Sequence, residues 1–139
     1  MNSETCQIYA TCGVKALIIC ENEFLVLSKP LWFQKLGIKW NDLPGGRINF
    51  GEADPRHALA RELQEELGVV EVNIFKPLHM ATVNILKDTH VVATIFHCTV
   101  DSKDITLSEE HTDYLWVGIN DTQIELPTWI SEAADAVLK

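Results

Sequence analysis

Residues 61–68 constrain the fold of this chain more than any other segment, because they place three glutamates on one side of a helix. The segment reads Arg-Glu-Leu-Gln-Glu-Glu-Leu-Gly. At 3.6 residues per turn, Glu62, Glu65 and Glu66 fall in one narrow sector, and Leu63 and Leu67 belong to the neighbouring apolar stripe. Like charges at this spacing repel one another and destabilise an isolated helix. Either solvent or a cation must relieve that repulsion.

Signals at both ends set the length of this helix. Asp54 followed by Pro55 is a typical helix start, with an N-cap and a proline in the first turn. Gly68 ends the helix, because glycine readily adopts the left-handed conformation that closes a last turn. We therefore predict a helix over residues 55–67.

The rest of the chain predicts strands on both sides of that helix and a second helix at the end. Apolar and β-branched runs predict a hairpin and four later strands, at residues 8–20, 24–27, 47–50, 69–86, 90–100 and 114–117. Residues 29–42 and 101–112 are predicted loops, and Pro127 is predicted to begin the closing helix. This order indicates a mixed α+β sandwich, and 139 residues correspond to a single domain over residues 1–139.

The charge of the chain limits its partners. Eleven Lys and Arg against 20 Asp and Glu give a net charge of −9, so we expect binding neither to nucleic acid nor to a membrane surface. No apolar run reaches the roughly 20 residues that span a bilayer. The start of the chain lacks the pattern of a signal peptide, and the four cysteines lack metal-site spacing, so we expect reduced thiols and a cytoplasmic location. A polyanionic substrate would need local cations or a metal ion.

Two interpretations of the three glutamates remain open at this point. The first is a solvated acidic helix face, which is the common fate of helical glutamates. The second is a site for a hard divalent cation, Mg²⁺ or Mn²⁺, which prefers oxygen ligands and keeps waters for a phosphate substrate. Arg61 precedes Glu65 by four residues, which allows it to hold that carboxylate in place.

The sequence upstream of the helix favours the second interpretation. Five residues separate Gly46 from Glu52, and the helix then supplies Arg-Glu-Leu-Gln-Glu-Glu-Leu-Gly-Val. This pattern resembles the Nudix box. Eight residues separate Glu52 from Arg61, one more than the family pattern has, and we place the extra residue at Ala53, before the N-cap.

The resemblance implies an α/β/α sandwich with a mixed sheet and assigns roles to individual residues. Glu62, Glu65, Glu66 and the Gly45 carbonyl would bind Mg²⁺, with Mn²⁺ as a substitute, and Glu62 would bind through water or act as the base. Arg61 and Glu52 would orient these groups. The reaction would be attack of water on a diphosphate linkage, assisted by the metal.

Residues outside the box supply further candidates. Many family members add an acidic residue from a late loop, for which we consider Glu109, Glu110 and Asp113 and favour Glu110; a solvated turn is the alternative. Trp32, Phe33 and Trp40 would stack a base, or complete the core. Lys29 and Arg47 would receive phosphates, or remain surface cations. Of the histidines, His111 is of interest because it adjoins the acidic loop.

Three functional hypotheses follow from the resemblance. The leading one is a MutT-like (d)NTP pyrophosphatase, since the domain is small. An ADP-ribose or nucleotide-sugar pyrophosphatase is the alternative, and residues 84–86, which distinguish subgroups, show neither the proline nor the tyrosine expected there. A nucleotide sensor without catalysis is a third, although such relatives usually have a degraded box. In each case the partner is a small nucleotide. Homodimers occur in the family, but no feature of this sequence requires one.

Overall fold

A mixed β-sheet lies between two helices in the computed structural model, which describes residues 9–30, 37–69, 71–85 and 89–138. Along these residues the elements are β1 (Tyr9–Cys20), β2 (Glu23–Ser28), β3 (Gly45–Arg47), α1 (Pro55–Leu67), β4 (Asn73–Ile85), β5 (Thr89–Thr99), β6 (Asp113–Gly118) and α2 (Thr128–Val137). The strand order is β4-β5-β1-β2-β6, with β3 also paired to β1. Only β1 and β5 run parallel among these pairs. The predicted α+β sandwich is confirmed.

Alternation along β1 divides the core into two layers. Val14, Ala16 and Ile18 pack with the apolar side chains of α1, whereas Leu17 packs with the buried residues of α2. Successive side chains of a strand point to opposite faces, so the two helices cover opposite faces of the sheet. No helix in the described ranges is long and apolar enough to cross a membrane.

The ends of α1 agree with the predicted signals. The Asp54 side chain accepts a hydrogen bond from the Arg56 N–H at 2.9 Å, and Pro55 begins the helix. Gly68 adopts φ 67° and its N–H donates to the Gln64 carbonyl at 3.0 Å. These caps satisfy backbone groups that the helix itself leaves free. The predicted boundaries of 55–67 are therefore confirmed.

The β1–β2 hairpin was predicted correctly. Glu21 and Asn22 both have positive φ, 54° and 66°, which matches the twist of the two flanking strands. Residue 8, the predicted start of this hairpin, lies outside the described residues.

Two strand predictions need correction. The strand predicted at residues 47–50 lies earlier, at Gly45–Arg47. It pairs with Gly13, Val14 and Lys15, and the chain then turns away, leaving Phe50 fully exposed. β4 begins at Asn73 rather than at residue 69, because the first residues after α1 cap that helix: the Val69 N–H donates to Leu63 O at 3.4 Å.

Candidate active site

The candidate site forms where residues 42–47 lie between β1 and β2. These two strands pair with each other only beside their turn. Farther along, the Ala16 N–H of β1 donates to Pro44 O and the Leu27 N–H of β2 donates to Asp42 O, both at 2.8 Å. The inserted segment thus occupies the middle of the sheet and brings its glycines against α1.

Two adjacent glycines are needed there for different reasons. Gly45 has φ +139°, and a Cβ at this position would lie 2.0 Å from the Val14 carbonyl oxygen. A Cβ on Gly46 would lie 2.5 Å from the Glu62 carboxylate carbon. The Gly45 N–H donates to Glu66 Oε2 at 3.1 Å. The missing side chains therefore let backbone and helical carboxylates approach closely.

Four charged residues form what we call the outer cluster: Glu52, Arg61, Glu62 and Glu65. Arg61 donates twice to Glu52 at 2.8 Å, to Glu62 Oε1 at 3.0 Å and to Glu65 Oε2 at 3.2 Å. Its fifth hydrogen bond goes to the Arg47 carbonyl at 3.2 Å. All five guanidinium N–H groups are thus used, and two helical carboxylates are held by one side chain.

The extra residue before the helix does not separate Glu52 from Arg61. Ala53 is exposed and lies outside α1, and Glu52 still forms a bidentate pair with the guanidinium. The hydrogen bonds from Arg61 and from the Asn49 N–H lower the pKa of Glu52 to about 2. Glu52 and Glu62 in turn raise the pKa of Arg61, although burial opposes this.

Four buried residues form the inner cluster: Lys15, Asp42, Glu66 and His111. Lys15 Nζ donates to Asp42 Oδ1 at 2.9 Å and to the Leu43 carbonyl at 3.1 Å. Nε2 of His111 lies 2.9 Å from Asp42 Oδ2. Burial opposes ionisation of Asp42, but Lys15 and the other donors outweigh it and hold the pKa of that carboxyl well below its usual range. Burial also disfavours the charged form of Lys15, yet Asp42 and Glu66 raise its pKa.

The three helical glutamates differ in their environment. Glu66 is 4% exposed, and burial raises its pKa to about 7, against the opposing effects of Lys15 and the Gly45 N–H. Burial also raises the pKa of Glu62, with Arg61 opposing. The Glu65 side chain is 59% exposed. One sector of the helix therefore presents one buried, one half-buried and one solvated carboxyl group.

The loop before β6 is fixed against the end of α1. The Ser108 N–H donates to the backbone carbonyl of Glu66 at 2.8 Å, and the Thr112 N–H donates to Ser28 O at 2.8 Å. Between these anchors, Glu110 and His111 reach the Glu66 carboxylate, and one ligand atom from each of the three residues lies within 4.8 Å of the others. Among the late-loop acids considered from the sequence, Glu110 is the one placed beside the helix.

Within the described ranges, neither of the other two late-loop candidates belongs to this group. Glu109 is exposed. Asp113 lies 3.6 Å from the Lys39 ammonium and accepts a hydrogen bond from the Tyr114 N–H.

The residues considered for substrate binding lie in different parts of the molecule. Trp32 and Phe33 lie outside the described residues. Trp40 packs against the core layer of α2, on the face of the sheet away from α1. Lys29 points toward the inner cluster, 3.4 Å from Asp42 Oδ2, and Arg47 is exposed beside the Arg61 hydrogen bonds.

The sequence interpretation missed two members of the inner cluster, Lys15 and Asp42. A lysine within the apolar run of residues 14–19 was a usable signal, because a buried lysine requires a partner. Asp42 directly before Leu-Pro-Gly-Gly offered the partner, but no local pattern joins residues that are 27 positions apart.

The donor set at this site fits a hard divalent cation. Glu62 and Glu66 place carboxylate oxygens against the Gly45–Gly46 turn, and Glu110 lies beside Glu66. Glu65 belongs to the same helix sector, and such oxygens suit Mg²⁺ and Mn²⁺. The buried Nδ1 of His111 has no hydrogen-bond partner in the described part of the chain. Gly46 leaves the space that the Glu62 carboxylate occupies. The residues therefore fit a metal ion.

Comparisons with known proteins place the chain in a family. The sequence model of the NUDIX domain matches residues 12–138. The MutT protein from Methanosarcina mazei Go1 is similar in structure, with a TM-score of 0.74 and 27% identity, and the match covers 94% of each chain. No match was found among curated proteins.

Two more distant solved structures share the fold. The Ap4A hydrolase of C. elegans has a TM-score of 0.71 at 18% identity, covering 94% of this chain and 96% of that one. An ADP-ribose pyrophosphatase from Streptococcus suis has a TM-score of 0.63 at 14% identity, covering 93% and 92%. Since the family model spans nearly all of the chain, this protein belongs to the Nudix hydrolase family.

Proposed function

We propose that this Nudix hydrolase cleaves the diphosphate linkage of a nucleoside diphosphate derivative in the presence of Mg²⁺, and that its substrate is a (d)NTP. The observation that carries the proposal is that the Gly45–Gly46 turn lies against Glu62 and Glu66 of α1, with Glu110 and His111 beside the Glu66 carboxylate. The likeness to a MutT protein at 27% identity supports the choice of substrate. The products would be a nucleoside monophosphate and pyrophosphate.

In this proposal a divalent cation would be held by oxygens drawn from Glu62, Glu65, Glu66, Glu110 and the Gly45 carbonyl, with coordination positions left for water and phosphate. When bound, it supplies positive charge against the phosphates and a more acidic water. Its charge also removes the cost of ionising Glu66, whose pKa is raised by burial in the metal-free protein.

The chain's own residues orient the reaction. Glu62 would bind the cation through water or accept the proton of the attacking water. In the metal-free protein, burial raises the pKa of its carboxyl, with Arg61 opposing. Arg61 fixes the direction of the Glu62 carboxylate, and Glu52 fixes Arg61 in turn. Positioning of this kind supplies much of the acceleration in phosphate chemistry.

Local cations would receive the substrate phosphates. The chain has a net charge of −9, so a polyphosphate is repelled from most of its surface. Arg47 and Lys29 lie at the edges of the outer and inner clusters, where they would offset that repulsion. Trp40 packs into the α2 core layer and is a weaker candidate for contact with the base.

A substrate panel with chromatographic product identification tests the proposal. The panel contains normal and oxidised (d)NTPs, ADP-ribose, nucleotide sugars and diadenosine polyphosphates, each with Mg²⁺ and with EDTA. We expect Mg²⁺-dependent release of a nucleoside monophosphate and pyrophosphate from (d)NTPs. Cleavage of ADP-ribose or a nucleotide sugar alone would reassign the substrate. No cleavage of any compound, with a nucleotide nevertheless bound, would replace the enzyme with the sensor hypothesis.

The cytoplasmic location, a single domain and the oligomeric state stay predictions from the sequence. Fractionation of cells, limited proteolysis and light scattering would test them in that order.

A further inference from the structure

His111 has one ring nitrogen engaged and one free in a buried environment. Its side chain is 1% exposed. Nε2 lies 2.9 Å from Asp42 Oδ2, whereas Nδ1 has no hydrogen-bond partner within the described residues. A buried polar atom without a partner costs free energy, so such an atom calls for an explanation.

The partner of Nε2 determines which nitrogen carries the hydrogen. Lys15 and other donors keep Asp42 ionised, and an ionised carboxylate only accepts hydrogen bonds. Nε2–H of His111 therefore donates to Asp42. In the neutral ring with this tautomer, Nδ1 carries a lone pair, which can bind a metal ion or accept a hydrogen bond. A metal ion binding there would displace the proton of a doubly protonated ring.

The His111 ring belongs to a cluster that also contains oxygen ligands. One ring nitrogen of His111 and one carboxylate oxygen each of Glu66 and Glu110 lie within 4.8 Å of one another. Because Nε2 is held by Asp42, Nδ1 is the nitrogen available to this cluster. A carboxylate that orients a metal-binding histidine through its other nitrogen is a recurring arrangement in metalloproteins.

We propose that Nδ1 of His111 is a nitrogen ligand of the divalent cation held by Glu66 and Glu110, and that Asp42 is the positioning residue for it. This inference rests on the metal site of the proposed function, and it adds a nitrogen ligand to the oxygen ligands of that site. Lys15 contributes by pairing with the other oxygen of Asp42, which holds the carboxylate in place.

A nitrogen ligand changes which metals the site prefers. Imidazole binds Mn²⁺ and Co²⁺ more readily than it binds Mg²⁺, which favours oxygen ligands throughout. We expect the protein to bind Mn²⁺ more tightly than Mg²⁺, and we expect His111 to account for much of the difference.

Pulsed electron paramagnetic resonance of bound Mn²⁺ tests the proposal directly, without reference to activity. We expect the full-length protein with Mn²⁺ to show coupling of the electron spin to ¹⁴N. Protein grown with ¹⁵N-labelled histidine should lose the ¹⁴N signal and gain a ¹⁵N signal. Bound Mn²⁺ without any histidine coupling would overturn the inference and leave the proposed function standing, whereas no bound Mn²⁺ at all would overturn both.

Two variants test whether the nitrogen coupling to Mn²⁺ comes from His111. In His111→Gln, the amide nitrogen can still donate to Asp42 while the atom equivalent to Nδ1 is lost, so the protein should fold. We expect this variant to lose the histidine coupling and to bind Mn²⁺ about 10- to 100-fold more weakly, with a smaller change for Mg²⁺. His57→Gln, at an exposed position of α1, is the matched control and should behave as wild type. Coupling that persists in His111→Gln would contradict the proposal.

Discussion

The inner and outer clusters supply charged groups to the same site under opposite solvent conditions. In the inner cluster, the Lys15 and Asp42 side chains are 7% and 6% exposed. In the outer cluster, the exposed fraction of the side chain rises from 14% at Glu62 to 59% at Glu65. Charges in the first are poorly screened, so each depends on its partner, whereas water moderates charges in the second. The comparison indicates that the inner cluster is coupled to folding and that the outer cluster mainly orients carboxylates.

The largest expected difference between the clusters is in the cost of removing one carboxylate. Asp42→Asn leaves the buried Lys15 without its closest counter-charge, and we expect it to lower the free energy of unfolding by about 3–5 kcal/mol. Glu52→Gln weakens a partly exposed pair and should lower that free energy by less than about 1 kcal/mol. Urea unfolding followed by circular dichroism measures both. Equal costs for the two variants would remove the distinction between the clusters.

Substitutions at the two glycines of the turn should differ in the same way, with Gly45→Ala affecting mainly stability and Gly46→Ala mainly hydrolysis. Gly45→Ala places a methyl group against the Val14 backbone and forces an unfavourable φ, so we expect a loss of at least about 3 kcal/mol. In Gly46→Ala the nearest atoms to the new methyl group belong to the Glu62 carboxylate, which lies at the end of a side chain and can move. This substitution should change stability by less than about 1 kcal/mol and still reduce hydrolysis. Thermal unfolding and kcat/KM together distinguish these outcomes, and a stable Gly45→Ala protein would contradict the geometry described for the turn.

Within the outer cluster, the effect of a substitution should be on catalysis. We expect Glu65→Gln to lower kcat/KM by about 100-fold, through weaker metal-assisted charge stabilisation, with little change in the urea midpoint because the side chain is exposed. Glu71→Gln is the matched control, since Glu71 is exposed and lies outside α1. Near-full activity of Glu65→Gln would remove this residue from the proposed metal ligands.

The pH dependence of stability in the metal-free protein tests the inner cluster. Glu66 has a pKa of about 7 when folded and an ordinary value of 4.5, so the folded state binds more protons between these values. Stability should therefore fall as pH rises from 4.5 to about 7, by roughly 2 kcal/mol. Glu66→Gln should remove most of this pH dependence. Urea titrations in EDTA at several pH values measure the free energy of unfolding of both proteins. A wild-type protein whose stability rises throughout the window would contradict the assignment.

The sequence predicted the local parts of this molecule well. Both ends of α1 follow from Asp54-Pro55 and Gly68, whose capping interactions involve residues only a few positions apart. The same is true of the β1–β2 turn. The Nudix box predicted the outer cluster for a similar reason, since most of its hydrogen bonds join residues within one segment of the chain.

Features that depend on distant pairing were harder to predict. The position of β3 is set by pairing with β1 across about 30 residues, not by the β-branched Ile48 that suggested a later strand. The inner cluster joins β1, the turn before Gly45 and the loop before β6. Trp40 was considered for base stacking, but its packing against the α2 core layer depends on the tertiary fold.

The most direct test of the central claim is the combined stability and activity of Glu66→Gln. We infer that Glu66 is buried for its role in metal binding, at a cost to the stability of the metal-free protein. At pH 8 in EDTA, the variant should be at least as stable as wild type, because it lacks the unfavourable buried charge. With Mg²⁺ and the best substrate of the panel, its kcat/KM should fall at least about 100-fold. A variant that is less stable yet retains near-full activity would contradict this role, because Glu66 would then serve the fold and not the reaction.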